Sequence, residues 1–160
     1  MDPRASELIR LLELNPHPEG GYFSEIFRSS HTVAPAGGEK RSAVTEIYFL
    51  LTADGISRWH RVASDEVWHY YEGAALELFW IEPGDEKCNR CLVGKVEKTG
   101  RPVAVVPAGC WQAARTTGAY TLAGCTVAPG FEFTDFRMLK DDPETAQAIK
   151  ARFPGLSTLI

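Results

Sequence analysis

The sequence predicts a mainly β protein, with one antiparallel jelly-roll barrel and a short helix at each end. Short apolar segments rich in β-branched and aromatic residues follow one another from residue 22 to residue 137, separated by Gly and Pro turns. That pattern is typical of a sandwich or barrel. The length of 160 residues fits one domain spanning 1–160, and a content of 44% apolar and 24% charged residues is that of a soluble globular protein.

The two ends of the chain carry helical rather than strand patterns. Apolar residues at helical spacing predict a helix over 5–14, which Asn15 and Pro16 end. Near the other end, Asp142 followed by Pro143 is a helix start signal, and it predicts a helix over 143–153 that ends before Pro154. The barrel itself is therefore expected over about 16–139.

Between these helices, strands are expected at short intervals. The predicted ranges are 22–28, 44–52, 57–61, 66–72, 75–81, 92–96, 103–106, 112–115, 120–127 and 132–137. The segment 34–40 contains Pro35 and two adjacent glycines, and it predicts an exposed loop.

The charge pattern argues against two classes of partner. The net charge is −4, and no basic stripe suits a phosphate backbone, so a nucleic acid is not expected to be the main partner. No apolar run approaches the ~18 residues of a membrane span, and the N-terminal residues lack the pattern of a signal peptide. A cytoplasmic protein that does not enter membranes is the simplest expectation.

Four cysteines raise the question of a metal or redox site. Cys88 and Cys91 form a CxxC pair, which in other proteins holds half a zinc site or forms a redox pair. No second pair or neighbouring histidine accompanies it, so thiols on a polar hairpin loop are favoured here. Cys110 and Cys125 lie in apolar segments typical of buried, unreactive thiols.

A first motif surrounds His60. Gly55, His60, Glu66 and Gly73 fit the pattern G-x5-H-x-H-x3-4-E-x6-G, with Gly55 one residue too near the histidine. Val62 stands where the pattern has its second histidine. The motif therefore keeps one imidazole and one carboxylate of a metal-type ligand set and lacks another imidazole.

A second motif lies some forty residues further on. Pro107 and Gly109 fit the pattern G-x5-P-x-G-x2-H-x3-N, and Gly100 is one residue too far from the proline. Gln112 falls on the histidine position, and Thr116 falls on the asparagine position. A second imidazole position is thus occupied by an amide.

Together with the turn at 18–22 and the strand at 45–51, these motifs resemble a small single-domain branch of the cupin superfamily, over nearly the whole chain. The resemblance implies a cupin jelly-roll barrel, kinship with jelly rolls of the sugar-nucleotide-epimerase type and with metal cupins, and a homodimer. It implies no particular reaction. An uncapped strand at 22–28 is available to pair with or pack on a second copy.

Strand alternation places the motif residues inside this barrel. His60 shares a face with Val62, and Glu66 shares one with Trp68 and Tyr70. We expect His60 to act as a general base, with Glu66 fixing its tautomer. Tyr70 is expected to supply a phenol as a proton donor.

The remaining candidate site residues are expected to contact a ligand. Trp68 and Trp111 suit stacking on a sugar ring or planar molecule, and Gln112 suits a polar contact. Glu19, in the turn before the strand at 22–28, is expected near the mouth of the barrel. Arg28 and Arg115 are candidates for holding an anionic group there.

No cofactor is expected, because Val62 and Gln112 replace two imidazoles. Weak binding of a divalent metal by His60, Glu66 and Gln112 is the alternative. The leading functional hypothesis is a protein that binds a small polar or sugar-like ligand and isomerises or epimerises it without a metal. A metal-dependent oxygenase or isomerase and a non-catalytic ligand-binding module remain open.

Overall fold

The computed structural model describes residues 1–35 and 38–160, so the loop predicted at 34–40 lies partly outside the described residues. Its helices are α1 (Pro3–Leu11) and α2 (Pro143–Arg152). Its strands are β1 (Asn15–Pro16), β2 (Tyr22–Arg28), β3 (Thr32–Val33), β4 (Arg41–Ser42), β5 (Thr45–Thr52), β6 (Ile56–Arg61), β7 (Asp65–Gly73), β8 (Leu76–Ile81), β9 (Asn89–Val93), β10 (Gly100–Arg101), β11 (Val103–Val106), β12 (Trp111–Thr116), β13 (Tyr120–Ala128) and β14 (Arg137–Met138).

Most of the strands form two six-stranded sheets, which confirms the mainly β jelly-roll prediction. The first sheet has the order β1-β2-β5-β13-β7-β11, and the second has the order β10-β9-β8-β12-β6-β14. The neighbours are antiparallel, apart from the parallel pair of β9 and β10. Many neighbours, such as β5 and β13, are distant in sequence, as expected for a jelly roll.

The inner faces of the two sheets enclose an apolar core. Phe49, Leu51 and Trp68 from the first sheet are buried in one cluster with Leu78 and Ala114 from the second. These positions alternate with outward-facing ones along each strand, which is why a period of two was visible in the sequence. The core fills part of the space between the sheets and leaves a cavity in the remainder.

Each helix covers the outer face of one sheet. On α1, Ala5 and Leu8 pack against Leu50 and Leu122 of the first sheet. On α2, buried residues pack with Trp59 and neighbouring apolar side chains on the outer face of the second sheet. Within the described residues, no helix is both long enough and apolar enough to cross a membrane.

The ends of several elements differ from the prediction. Helix α1 begins at Pro3 because the Asp2 side chain accepts hydrogen bonds from the backbone N–H groups of Arg4 and Ala5. The strand expected at 132–137 is instead a 3-10 turn (Phe133–Asp135) followed by the two-residue strand β14. The aromatic residues of this segment, Phe133 and Phe136, line the cavity instead of pairing in a sheet.

A bulge in β6 breaks the simple alternation. Gln112 of β12 pairs with His60, and Ala114 pairs with Ser57, so three steps along β6 match two steps along β12. The extra residue turns both Ser57 and His60 toward the barrel interior. Alternation alone would have placed these two side chains on opposite faces.

Candidate functional site

A partly enclosed cavity of about 70 Å³ opens between the sheets. Its lining is made of apolar and aromatic side chains with a few ionisable ones among them. The residues are His17, Glu19, Phe23, Glu25, Arg28, Thr45, Ile47, Phe49, His60, Val62, Glu66, Cys125, Val127, Phe131, Phe133 and Phe136. A concave, mostly apolar site with a few converging polar groups is the usual form of a small-molecule site.

A tight turn brings Glu19 into this cavity. Gly20, at φ +112°, passes so close to β6 that a Cβ atom there would lie 2.0 Å from the carbonyl oxygen of Ile56. The backbone N–H of Arg58 donates to the Glu19 carbonyl at 2.9 Å and ties the turn to β6. The side chain of Glu19 therefore points at Ser57 and His60 of the same strand.

The Glu19 carboxyl group lies between a hydroxyl and two imidazoles. Ser57 Oγ donates to its Oε1 at 2.7 Å. Its Oε2 lies 3.3 Å from His60 Nε2 and 3.4 Å from His17 Nδ1. Burial raises the pKa of Glu19 to about 8, against the opposing effect of the Ser57 hydrogen bond. Glu19 is therefore mostly protonated at neutral pH.

The tautomer of His60 follows from its backbone contact. Its Nδ1 lies 2.7 Å from the carbonyl oxygen of Arg58, which can only accept, so Nδ1 carries a hydrogen. Burial lowers the pKa of His60, so the neutral ring presents the Nε2 lone pair to Glu19. The Glu19–His60 pair thus holds one transferable proton at neutral pH, which lies mostly on Glu19 and faces His60 Nε2.

Glu66 is held by a different chain of hydrogen bonds. The indole N–H of Trp68 donates to Gln112 Oε1 at 3.1 Å, and the Gln112 amide nitrogen donates to Glu66 Oε2. The Cys125 thiol lines the same cavity and lies near enough to Glu66 to affect its pKa. Burial raises the pKa of the Glu66 carboxyl group, while the nearby His60 and the donors from Gln112 and Cys125 oppose that rise.

The metal ligands considered from the sequence do not fit a transition-metal site in this arrangement. An indole N–H is only a donor, so the Gln112 oxygen must face Trp68 and its nitrogen must face Glu66. Val62 lines the cavity in the remaining ligand position. Among the described residues, no group of three or more His, Cys, Asp or Glu is arranged to hold a metal ion.

The structure brings four of the nine sequence-predicted site residues to the cavity, namely Glu19, Arg28, His60 and Glu66. One role needs correction, because the carboxyl group that contacts His60 belongs to Glu19 rather than to Glu66. Trp68 and Gln112 do not line the cavity; they lie behind Glu66 and hold it in place.

Tyr70 and Trp111 are not brought to the cavity. The Tyr70 hydroxyl donates to the backbone carbonyl of Gly73 at 2.6 Å, which completes a turn. Trp111 packs in the cluster on the outer face of the second sheet, where the Arg61 guanidinium lies 4.8 Å from its ring centroid. Arg115, a candidate for the barrel mouth, pairs with Glu77 instead.

Several cavity residues gave only weak signals in the sequence. His17 stands two residues before Glu19, a spacing that brings its Nδ1 within reach of the Glu19 backbone N–H at 3.3 Å. Phe133 and Phe136 lie within the strand predicted at 132–137. Their approach to His17 joins positions more than a hundred residues apart, which local patterns do not encode.

Two arginines hold the rim of the cavity through ion pairs. Arg28 pairs with Glu25 and with Glu132, and it also donates to the Phe131 carbonyl at 3.1 Å. Arg41 pairs with Asp135. The segment 131–136 is thereby fixed across the mouth, with 56% of Phe133 exposed to solvent.

The cysteines are free thiols. Cys91 packs against the core between the sheets, whereas Cys88 packs against the cluster on the outer face of the second sheet. Because the two thiols lie on opposite faces, the CxxC pair does not form a joint site. Burial raises the pKa of Cys125 well above its usual value.

Comparison with known proteins agrees with this architecture. The sequence matches the cupin superfamily (DUF985) over residues 6–139. It is 30% identical over 155 residues to the uncharacterized protein YML079W of Saccharomyces cerevisiae, covering 86% of this chain and 76% of the yeast protein.

Two solved structures share the whole architecture. A hypothetical protein from Leishmania major superposes with a TM-score of 0.82 at 36% identity, over 98% of this chain and 96% of that one. Protein SO0799 from Shewanella oneidensis gives a TM-score of 0.81 at 30% identity, over 97% and 93% of the two chains. The chain therefore belongs to the cupin superfamily, in its DUF985 family.

Proposed function

We propose that the protein binds a small polar molecule in this cavity and moves a proton on it, as an isomerase or epimerase that needs no metal. The observation that carries the proposal is the Glu19 carboxyl group, which lies 3.3 Å from His60 Nε2 inside a mostly apolar cavity. A buried pair that shares one proton can both accept and return a proton.

The pKa values of these groups suit acid–base catalysis near neutral pH. Burial raises the pKa of Glu19 to about 8 and lowers that of His60, so the carboxyl group is the acid of the pair and the neutral imidazole is its base. Burial also raises the pKa of Glu66, a second carboxyl group in the same cavity. Acidic and basic forms thus coexist at the pH where an efficient general acid or base works.

The size of the cavity limits the ligand. A volume of about 70 Å³ holds roughly five water molecules. A compound of three or four carbons with hydroxyl or carbonyl groups matches that space, whereas a whole sugar nucleotide does not. The ligand class is therefore a small polar molecule, a more limited class than the sugar-like ligands expected from the sequence.

A non-catalytic binding module is the second candidate. It is favoured by the completeness of the internal hydrogen bonds, because Ser57, His60 and Gln112 already satisfy both carboxyl groups. In that case the cavity would bind a ligand without transferring a proton to or from it.

The two candidates are separated by hydrogen exchange on a probe of suitable size. Dihydroxyacetone is incubated with the protein in D₂O, and ¹H NMR follows the loss of its CH₂ protons. We expect exchange above the buffer rate, with a loss of roughly a hundredfold in His60→Gln or Glu19→Gln, as for removal of a general acid or base.

Matched controls lie outside the cavity on β7. His69→Gln changes a histidine that contacts Thr126, and Glu72→Gln changes a carboxylate that pairs with Arg4. Both should exchange at the wild-type rate. Binding of dihydroxyacetone with no exchange above buffer would favour the binding module and contradict the catalytic proposal.

We also propose that the protein is a homodimer whose contact includes β2. Strand β1 pairs only with Tyr22 and Phe23, so the remaining edge of β2 is unpaired in the described residues. Phe27 on that strand is 53% exposed, with the apolar Ile26 beside it. A second copy that covers this edge would remove both an open ladder and exposed apolar surface.

Light scattering tests the dimer directly. The wild type should have twice the 17.7 kDa mass of one chain at micromolar concentration. Phe27→Lys should weaken self-association by at least about tenfold, because it places a charge in the contact. Val96→Lys, at a valine that is 76% exposed in the loop between β9 and β10, should change nothing. A monomeric wild type contradicts the proposal.

A further inference from the structure

His17 is a buried histidine, and one of its ring nitrogens is hydrogen-bonded to the backbone. Its Nδ1 accepts a hydrogen bond from the backbone N–H of Glu19 at 3.3 Å. A nitrogen that accepts a hydrogen bond carries no hydrogen, so the hydrogen of the neutral ring is on Nε2. The turn that positions Glu19 therefore also fixes the tautomer of His17.

The imidazole of His17 lies in a box of phenylalanine rings. Phe23 meets it edge-on at 4.6 Å between centroids, Phe49 and Phe136 approach at 5.9 Å and 5.8 Å, and Phe133 stacks on it at 6.3 Å. All four rings line the cavity. The His17 side chain is only 6% exposed and lines the cavity together with these rings.

The Nε2–H group has no protein acceptor among the described residues. The only fully buried side-chain nitrogen or oxygen that lacks a partner in that part of the chain is Arg41 Nε. Nε2 of His17 is therefore open to space rather than sealed in protein. A nine-tenths buried ring thus presents one free donor to a small cavity.

We propose that His17 binds the carbonyl oxygen of the ligand through Nε2–H, and that the site takes small uncharged aldehydes or ketones. This inference rests on the proposed function, since it names the substrate class of the same cavity. His17 polarises the carbonyl while the Glu19–His60 pair removes a proton from the neighbouring carbon. That proton passes to the pair, and the electron pair of the broken C–H bond forms the C=C bond of an enediolate, whose negatively charged oxygen accepts the hydrogen bond from His17 Nε2–H.

The charge of the cavity supports a carbonyl compound over a carboxylate. Burial, with a further effect from His60, lowers the pKa of His17 to about 4, so its ring stays neutral. Among the described lining residues, Arg28 is the one permanent cation, and Glu25 and Glu132 already neutralise it. An anion would lose its hydration without gaining a free positive partner. A neutral imidazole N–H is a known way to polarise a substrate carbonyl without adding charge.

Two probes of equal size test the ligand class. Dihydroxyacetone and pyruvate each have six non-hydrogen atoms, but only pyruvate is charged. We expect dihydroxyacetone to bind at least about tenfold more tightly than pyruvate, because the carboxylate has no free cation to meet it. Tighter binding of pyruvate, or no binding of dihydroxyacetone, overturns the inference.

NMR of ¹⁵N-histidine-labelled protein tests the residue itself. We expect the His17 signals to report an Nε2–H tautomer that does not titrate above pH 5, and to shift when dihydroxyacetone is added. In the infrared, the carbonyl band of the bound probe should move to lower frequency, and His17→Phe should abolish that shift.

His17→Phe should also slow hydrogen exchange by roughly a hundredfold, the usual effect of removing a donor to a developing oxyanion. His17→Gln keeps an N–H donor and should retain more of the rate. His31→Phe, at an exposed histidine, is the matched control. Unchanged exchange and an unchanged carbonyl band in His17→Phe overturn the role of His17 and leave the acid–base proposal intact. An inactive wild type that still shows the His17-dependent carbonyl shift contradicts the acid–base proposal alone.

Discussion

Glu19→Gln is expected to be more stable than the wild type at pH 9, by roughly 4 to 5 kcal/mol, although it removes a buried site residue. The pKa of Glu19 is raised from 4.5 to about 8 by burial. The folded protein therefore binds one more proton than the unfolded chain between these two values. The stability that protonated Glu19 contributes is fully present below pH 4.5 and is lost as the pH rises to 8. Glutamine has no such proton to lose, so the variant keeps its stability.

The glutamine variant should be close to the wild type at pH 5, because an amide imitates the protonated carboxyl group. Its oxygen accepts from Ser57, and its nitrogen donates toward His60 Nε2. Urea unfolding at pH 5, 7 and 9 measures the difference. Glu72→Gln is the control, since Arg4 and Tyr120 lower the pKa of Glu72 to about 2 and give it the opposite dependence. A pH-independent difference between wild type and Glu19→Gln would contradict the burial of a protonated Glu19.

Gly20→Ala is expected to reduce the free energy of unfolding by roughly 3 to 5 kcal/mol. A side chain at φ +112° is strained, and its Cβ would lie 2.0 Å from the Ile56 carbonyl oxygen. Since the obstacle is backbone, the turn must move away from β6. That movement displaces both His17 and Glu19, so hydrogen exchange on dihydroxyacetone should be lost as well.

Gly84→Ala separates the two causes of this effect. Gly84 also has a positive φ, +80°, but nothing lies within 4 Å of a Cβ placed there. Gly84→Ala should lower the free energy of unfolding only through backbone strain, by roughly 1 to 2 kcal/mol, and should keep full activity. Chemical denaturation of both variants gives the comparison. Equal losses in the two variants would show that the approach to Ile56 does not constrain the turn.

The strands of the barrel could be predicted from sequence because they depend on local alternation. The same alternation of side chains along a strand also corrects the ligand contact that was expected of Trp111. Trp111 and Gln112 are neighbours on β12, so only one of them can face the interior. Gln112 does, opposite His60, and Trp111 packs outside.

The composition of the cavity was less predictable. His60 and Glu66 were found through motif spacing, and Glu19 through its glycine turn. The contact of His60 with Glu19 instead of Glu66 depends on the bulge in β6, which adds a residue without any turn residue to mark it. His17 depends on phenylalanines from the far end of the barrel, and no local signal reports such a contact.

The rim ion pairs make the site a late product of folding. Arg28 and Glu132 are 104 positions apart in the chain, and Arg41 and Asp135 are 94 apart. Contacts of such large sequence separation are slow to form, because long loops must close before they contribute. During synthesis, the N-terminal wall of the cavity leaves the ribosome long before the segment that covers it. Until residues 131–136 arrive, His17, Phe23 and Phe49 remain accessible to water, so the cavity can close only once nearly all of the chain has been made.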